Sequence, residues 1–281
     1  MMTIFRYTLG KMLGQVAGWG LSLAILGGYL LTFYDLMLEQ GGAMIQLIES
    51  YPPELLAFFG DMTKLLTPGG FLHTELFSYM PLIVGFFSIL AGSGLLAGDE
   101  ENGTLDLVLA HPVSRMSFFT GRWLAMLAAH LGIVGLTWLG LAVGTNWSAI
   151  DVTGAELALP CLSLLALLLC FACLGLFLSM VLPSRRMAAM IAGVVLIGSF
   201  FLTGLARINE HLHAAARFTP LEYYQGGEAT SGLNLGWFFG LLGAAVVLTA
   251  LSAVLFQRRE IRVGGEGSWG VWRPKRNRAQ T

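Results

Sequence analysis

Long uncharged stretches recur along the chain, and they predict its architecture. A helix that crosses a membrane needs roughly 20 consecutive residues without charge, because a charge at mid-bilayer is costly. Six stretches reach that length: 12–34, 76–98, 123–150, 157–184, 187–206 and 229–257. We therefore predict an all-α integral membrane protein. It is a six-span helical bundle within residues 1–256, followed by a basic tail, 257–281. The spans are expected near 16–34, 76–98, 123–145, 157–182, 187–206 and 235–256.

The composition agrees with this prediction. Hydrophobic residues make up 56% of the 281 residues, charged residues make up 12%, and the mean hydropathy is +0.71. Soluble domains typically carry about 25% charged residues. A chain this poor in charge cannot cover itself with water-compatible surface, which excludes an ordinary soluble protein. The first stretch lacks a small-residue cleavage site, so we expect a retained span rather than a signal peptide.

The basic residues indicate the orientation. An even number of spans places both termini on one side of the membrane. If that side is the cytoplasm, only Lys64, Arg207 and Arg217 of the 16 Lys and Arg residues lie outside. Cytoplasmic loops of membrane proteins carry an excess of Lys and Arg. We therefore expect N- and C-termini in the cytoplasm and a multi-pass protein of the cytoplasmic (inner) membrane. The tail is expected to contact anionic membrane lipid and no nucleic acid.

Glycine pairs at a spacing of four occur in several spans. They are Gly14/Gly18, Gly94/Gly98, Gly140/Gly144 and Gly236/Gly240. Small residues at this spacing let helices approach closely inside a bilayer. The pattern predicts a packed bundle and leaves open whether any pair faces a second copy.

The outer loops give weaker predictions. In the first of them, about 35–75, Pro53 suits the start of a short interfacial helix. Residues 67–70 (Thr-Pro-Gly-Gly) predict a turn. In the last outer loop, His211 and His213 would point apart on a helix and have few further ligands nearby, so we predict no metal site.

The inner loop after the second span differs from the others. Acidic residues 99–101 follow one another where the span ends, although the C-terminus of a helix disfavours negative charge. Gly103 can end that helix, and Thr104 can cap a new one.

The new helix is predicted to be short and amphipathic. Leu105, Val108 and Leu109 lie on one face, Pro112 ends the helix, and Ser114 can cap the next one. A helix that binds a membrane surface is usually basic, whereas this loop has four acidic and two basic residues. The pattern therefore favours a protein partner over lipid.

This loop resembles the signature of the permeases of ABC-2-type transporters. The resemblance rests on Glu100, Glu101, Gly103, Thr104, Leu105, Leu109, Pro112, Val113, Ser114 and Arg115. The position of the loop between spans two and three agrees as well. So do the long first outer loop and the Pro-aromatic segment 220–224 before the last span.

The resemblance implies the permease subunit of an ABC exporter. Such permeases pair as two six-span bundles, as a homodimer or with a paralogous permease, on two ATP-binding subunits. The ten residues just named would form the ATPase-coupling helix and its flanks. The residues before Trp19 would form an elbow helix on the inner surface, for which Ile4, Phe5, Leu9, Met12 and Leu13 supply an apolar side.

ATP itself is not expected to bind this chain. The sequence contains no Gly-x4-Gly-Lys-Ser/Thr, the loop that holds nucleotide phosphates. We therefore expect no cofactor and no catalytic residue here, and an ATP-binding subunit as a separate chain.

Three alternatives remain open. An ion-coupled or passive secondary transporter or channel usually has ionisable residues inside the membrane. His130 is the candidate pathway residue, although a single histidine more often joins helices by hydrogen bonds. Cys170 and Cys173 with His130 would suggest an intramembrane enzyme, but apolar surroundings disfavour a reactive thiolate. A membrane scaffold would use the same loop to recruit a cytosolic partner. The transported substrate is left open.

Overall fold

The computed structural model describes residues 1–41, 50–52, 62–101, 103 and 114–258. Within these ranges the chain forms helices and short connections and no β-strand. The long helices are α1 (Met2–Glu39), α3 (Met80–Gly94), α5 (Arg115–Gly144), α6 (Gly154–Val181), α7 (Arg185–Ala206) and α9 (Leu235–Arg258). The short ones are α2 (Pro68–Leu72), α4 (Ala97–Glu101) and α8 (His213–Ala216). The all-α prediction is confirmed for this part of the chain.

Five helices are long and apolar enough to cross a membrane, namely α1, α5, α6, α7 and α9. A further span results if Pro68–Phe77 and Met80–Gly94, which meet at 45°, count as one. Helix α3 alone has 15 residues, about 22 Å at 1.5 Å per residue. That is short of the ≈30 Å hydrocarbon core. The described chain therefore has five candidate spans, or six with the bent pair.

The turn predicted at residues 67–70 is wrong, because these residues begin helix α2. The Thr67 hydroxyl accepts a hydrogen bond from the Gly70 amide at 3.2 Å and caps the helix. Pro68 occupies the first helical position, where its fixed φ fits and its missing N–H costs nothing. A side chain at Gly70 would overlap the Lys64 carbonyl. The same Thr-Pro-Gly-Gly pattern is compatible with a turn and with a helix start.

The elbow helix implied by the resemblance is not a separate element. Residues 2–18 form the first turns of the continuous helix α1. A hydrogen bond from the Phe5 amide to the Met1 carbonyl, 3.0 Å, closes its first turn.

Helix α6 lies at the centre of the bundle. Most of its side chains are buried, and it packs against α3, α5, α7 and α9. Cys161, Cys170 and Cys173 are free, buried thiols on this helix. A Thr153–Glu156 capping box begins it, with the Thr153 amide donating to the Glu156 carboxylate at 2.7 Å.

Two glycine pairs behave differently in the packing. Gly140 and Gly144 of α5 lie against the backbone of Ala24 and Gly28 in α1, so a Cβ at either position would overlap the neighbouring helix. At Gly14 and Gly18 a Cβ would meet nothing within 4 Å. The first pair therefore holds α1 against α5, and the second pair faces away from the bundle.

The end of the bundle opposite the 99–115 loop is closed by hydrogen bonds between connections and helices. The Tyr224 hydroxyl donates to the Phe77 carbonyl at 2.9 Å, at the bend between α2 and α3. Burial raises the pKa of the Tyr224 phenol well above its ordinary value. The Asp35 carboxylate accepts from the Ala149 amide at 2.7 Å. The Pro-aromatic segment 220–224 thus supplies a hydrogen-bond donor to a backbone carbonyl at the bend.

Candidate functional site

The bent helix pair that could form the second span ends in two steps before the 99–115 loop. Helix α3 stops at Gly94, and after a turn α4 runs from Ala97 to Glu101. Gly103 has φ +65°, a left-handed backbone that glycine adopts without strain. The predicted role of Gly103 in ending the helix is confirmed. Of the predicted coupling residues, Thr104, Leu105, Leu109, Pro112 and Val113 lie outside the described residues.

Asp99 joins the end of the second span to α5. Its carboxylate forms an ion pair with the Arg122 guanidinium. Both side chains are largely buried, with exposed fractions of 15% and 10%. Arg122 also donates from Nη1 to the Leu95 carbonyl at 3.4 Å, and its guanidinium lies 5.0 Å from the centre of the Phe118 ring.

Glu101 joins the same segment to α7. Its Oε1 accepts a hydrogen bond from the Arg185 amide at 2.7 Å. This amide belongs to the first turn of α7, where a negative charge is favourable because the helix N-terminus carries partial positive charge. Ser184 caps the same turn with its hydroxyl, 3.2 Å from the Met187 amide. Two members of the acidic cluster thus have partners on other helices, the Arg122 guanidinium for Asp99 and the first backbone amide of α7 for Glu101.

The far end of the loop joins α5 to α9. The Ser114 hydroxyl accepts from the Ser117 amide at 3.2 Å, which confirms the predicted cap of α5. Arg115 Nη1 lies 3.4 Å from the Phe256 carbonyl and 3.4 Å from the Gln257 carbonyl. A cation next to the last carbonyls of α9 is favourable, since a helix C-terminus carries partial negative charge.

These three contacts are called the loop anchors below: Asp99–Arg122, Glu101–Arg185 and Arg115–Phe256. They connect the two ends of the segment 102–113 to the N-terminal ends of α5 and α7 and to the C-terminal end of α9. A force applied to that segment would therefore reach three long helices and the second span at once.

His130 occupies a closed position between α3 and α5. The side chain is fully buried. Its Nε2 lies 3.0 Å from the Ser88 hydroxyl, and its Nδ1 lies 2.8 Å from the Met126 carbonyl. The Phe87 ring centre is 5.6 Å from the imidazole. In this structure the imidazole joins two helices, and a contact with a transport path stays a prediction.

A cavity of about 610 Å³ lies beside the loop anchors. Lys11, Arg122 and Arg185 line it from α1, α5 and α7. From the sequence these basic residues entered only as indicators of orientation. Their convergence depends on how α1, α5 and α7 pack, so no local pattern predicts it.

The comparisons with known proteins agree with the architecture. The chain matches the family model described as ABC-2 family transporter protein over residues 17–261. Since this match covers most of the 281 residues, the chain belongs to the ABC-2 transporter family. It is a multi-pass membrane protein and a permease component of an ABC transporter. No match was found among curated proteins.

Proposed function

We propose that this chain is a six-span permease with both termini in the cytoplasm, and that it exports its substrate across the cytoplasmic membrane. A separate ATP-binding subunit docks on residues 99–115 and supplies the energy. Two copies of that subunit serve a pair of permeases, formed by two copies of this chain or by this chain and a paralogue. The family membership supports the permease role, and the export direction follows the resemblance.

One observation supports docking at this loop more than any other. The loop anchors connect both ends of segment 102–113 to α5, α7 and α9. These contacts give segment 102–113 a direct connection to the bundle. With them, a displacement of the loop by a moving ATPase is passed to the helices that would open or close a path. That the ATPase moves and displaces the loop is what the resemblance to ABC-2-type permeases implies.

Copurification tests the docking. The tagged chain is expressed with the genes beside its own, and the membrane fraction is solubilised and purified by the tag. An ATP-binding subunit is expected to copurify. Leu105→Asp should abolish this, because an aspartate on the apolar face of the predicted coupling helix would have to be desolvated against the partner. Glu210→Arg changes charge in the last outer loop and serves as the control.

Glu101→Arg separates docking from energy transfer. This change replaces the acceptor of the Arg185 amide and places positive charge at the N-terminus of α7. We expect the ATPase to remain bound or be partly lost, while the stimulation of ATP hydrolysis by the permease falls at least tenfold. If neither Leu105→Asp nor Glu101→Arg alters binding or hydrolysis, the loop is not the coupling site. If no ATPase copurifies with the wild-type chain, a scaffold or secondary transporter replaces the present proposal.

A further inference from the structure

The cavity beside the loop anchors has one charged end. Lys11, Arg122 and Arg185 line it together with one acidic residue, Asp99. The formal charge of these four side chains is positive even after Asp99 is paired with Arg122. The cavity therefore favours an anionic group.

Two buried polar atoms at this end have no hydrogen-bond partner within the described residues. They are the Thr8 hydroxyl oxygen and Arg122 Nε. The Thr8 side chain is 4% exposed and Arg122 is 8% exposed, and both line the cavity. Buried polar groups are normally hydrogen-bonded, so a ligand oxygen that reaches either atom would be stabilising.

Arg185 is placed by a pair of glycines. A Cβ at Gly94 would stand 3.5 Å from Arg185 Cζ, and a Cβ at Gly98 would stand 3.4 Å from its Nη1. The guanidinium therefore lies across the inner end of the second span. The spacing of four residues between Gly94 and Gly98 suggests helix packing, but here it leaves room for the Arg185 side chain.

The other wall of the cavity is apolar and open to the side. Ile83, Phe86 and Leu90 lie on one face of α3 at helical spacing, and each is at least 41% exposed. Gly94 continues the same face towards Arg185. Trp19 of α1 lines the opposite wall, with its ring centre 6.1 Å from that of Phe87. An apolar stripe thus leads from the middle of the second span to the cluster of basic residues.

We propose that this cavity binds an anionic phospholipid from the leaflet on the side of the 99–115 loop. The phosphate lies between Lys11, Arg122 and Arg185, because the guanidinium group matches phosphate oxygens in geometry and charge. One acyl chain follows Ile83, Phe86 and Leu90. The size fits, since sites for small molecules measure about 300–1,000 Å³. The proposal stands on the cavity alone and does not depend on an ATPase partner.

The test uses the purified full-length chain in detergent, with native mass spectrometry to count bound lipids. Phosphatidylglycerol and phosphatidylcholine are added at equal concentrations. Phosphatidylglycerol is expected to be retained at higher collision energy and lower concentration than phosphatidylcholine. Arg185→Gln and Lys11→Gln should each weaken phosphatidylglycerol binding about fivefold, since each basic residue near anionic lipid contributes about 1 kcal/mol.

Each of the two residues has a basic control on the same helix, outside the cavity. Arg186 is exposed and does not line the cavity, so Arg186→Gln should change the affinity by less than twofold. Arg6→Gln is the corresponding control for Lys11→Gln and should likewise change the affinity by less than twofold. Equal losses in the controls, or equal retention of both lipids, would overturn the proposal. Inorganic phosphate is tested separately by thermal unfolding. If it stabilises the chain as much as phosphatidylglycerol does, the site takes free phosphate and the lipid assignment is wrong.

Discussion

Asp99 and Arg122 form an ion pair that joins helix α4, at the end of the second candidate span, to helix α5. The pair lies at the base of the segment 102–113 and is largely buried. It also borders the cavity that Lys11 and Arg185 line. One contact therefore connects the loop, the bundle and the proposed lipid site.

Removal of one charge of this pair should destabilise the protein. Asp99→Asn leaves the Arg122 cation buried without its counter-charge, and the loss of one partner of a buried pair costs about 3 kcal/mol. Thermal unfolding of the purified protein in detergent should show a lowered midpoint. The double variant with Arg122→Gln should be more stable than Asp99→Asn alone, because no unpaired charge remains. An unchanged midpoint for Asp99→Asn would show that the pair contributes nothing.

The contact between α1 and α5 should tolerate no side chain at Gly140. A Cβ there would overlap the backbone of Ala24, so Gly140→Leu must separate the two helices. We expect a loss of at least about 2 kcal/mol, as for overpacked cores, or failure to accumulate in the membrane. Gly135→Ala is the control, since a Cβ at Gly135 meets nothing within 4 Å. That variant should unfold at the wild-type temperature or above.

The bend of the second span should depend on Tyr224. Tyr224→Phe removes the donor to the Phe77 carbonyl and leaves that buried acceptor unsatisfied, at a cost of about 1–2 kcal/mol. Tyr223→Phe also removes a hydrogen bond, from its hydroxyl to the Arg217 carbonyl at 2.7 Å, but in an exposed place. The midpoint of unfolding should therefore fall more for Tyr224→Phe than for Tyr223→Phe. Equal effects would contradict the role of Tyr224 at the bend.

The hydrogen bond between His130 and Ser88 is expected to stabilise the contact between α3 and α5. Ser88→Ala removes the partner of Nε2, and hydrogen bonds between membrane helices contribute about 0.6 kcal/mol on average. We expect a small decrease in the midpoint of thermal unfolding and unchanged stimulation of ATP hydrolysis in the copurified complex. A strong loss of this stimulation at an unchanged midpoint would instead place His130 in the path and favour the candidate pathway role.

Much of the helix pattern follows from the sequence alone because it is local. Charge-free stretches must be helical in a membrane, since only hydrogen-bonded backbone is tolerated there. The cap at Ser114 and the break at Gly103 also depend on neighbouring residues only. The start of α2 at Pro68 was not predicted, because its Thr-Pro-Gly-Gly pattern suits a turn equally well.

The loop anchors and the cavity depend on contacts far apart in the sequence. Arg122 appears in the sequence as one more inner basic residue, yet it is buried and paired with Asp99. Gly94 and Gly98 suggest helix contact, yet they lie beneath Arg185. The pairing of Arg122 with Asp99 and the position of Arg185 over the two glycines depend on which helices are neighbours, and residue spacing along the sequence does not show that.

Site-specific crosslinking from the loop tests the central proposal most directly. A photoreactive amino acid replaces Leu105 in the complete chain, and in a second variant it replaces Ser148, in the connection between α5 and α6 at their other end. Irradiation of intact cells should join position 105, and not position 148, to an ATP-binding subunit identified by peptide mass spectrometry. The absence of such an adduct from position 105, or equal adducts from both positions, would contradict ATPase docking on residues 99–115.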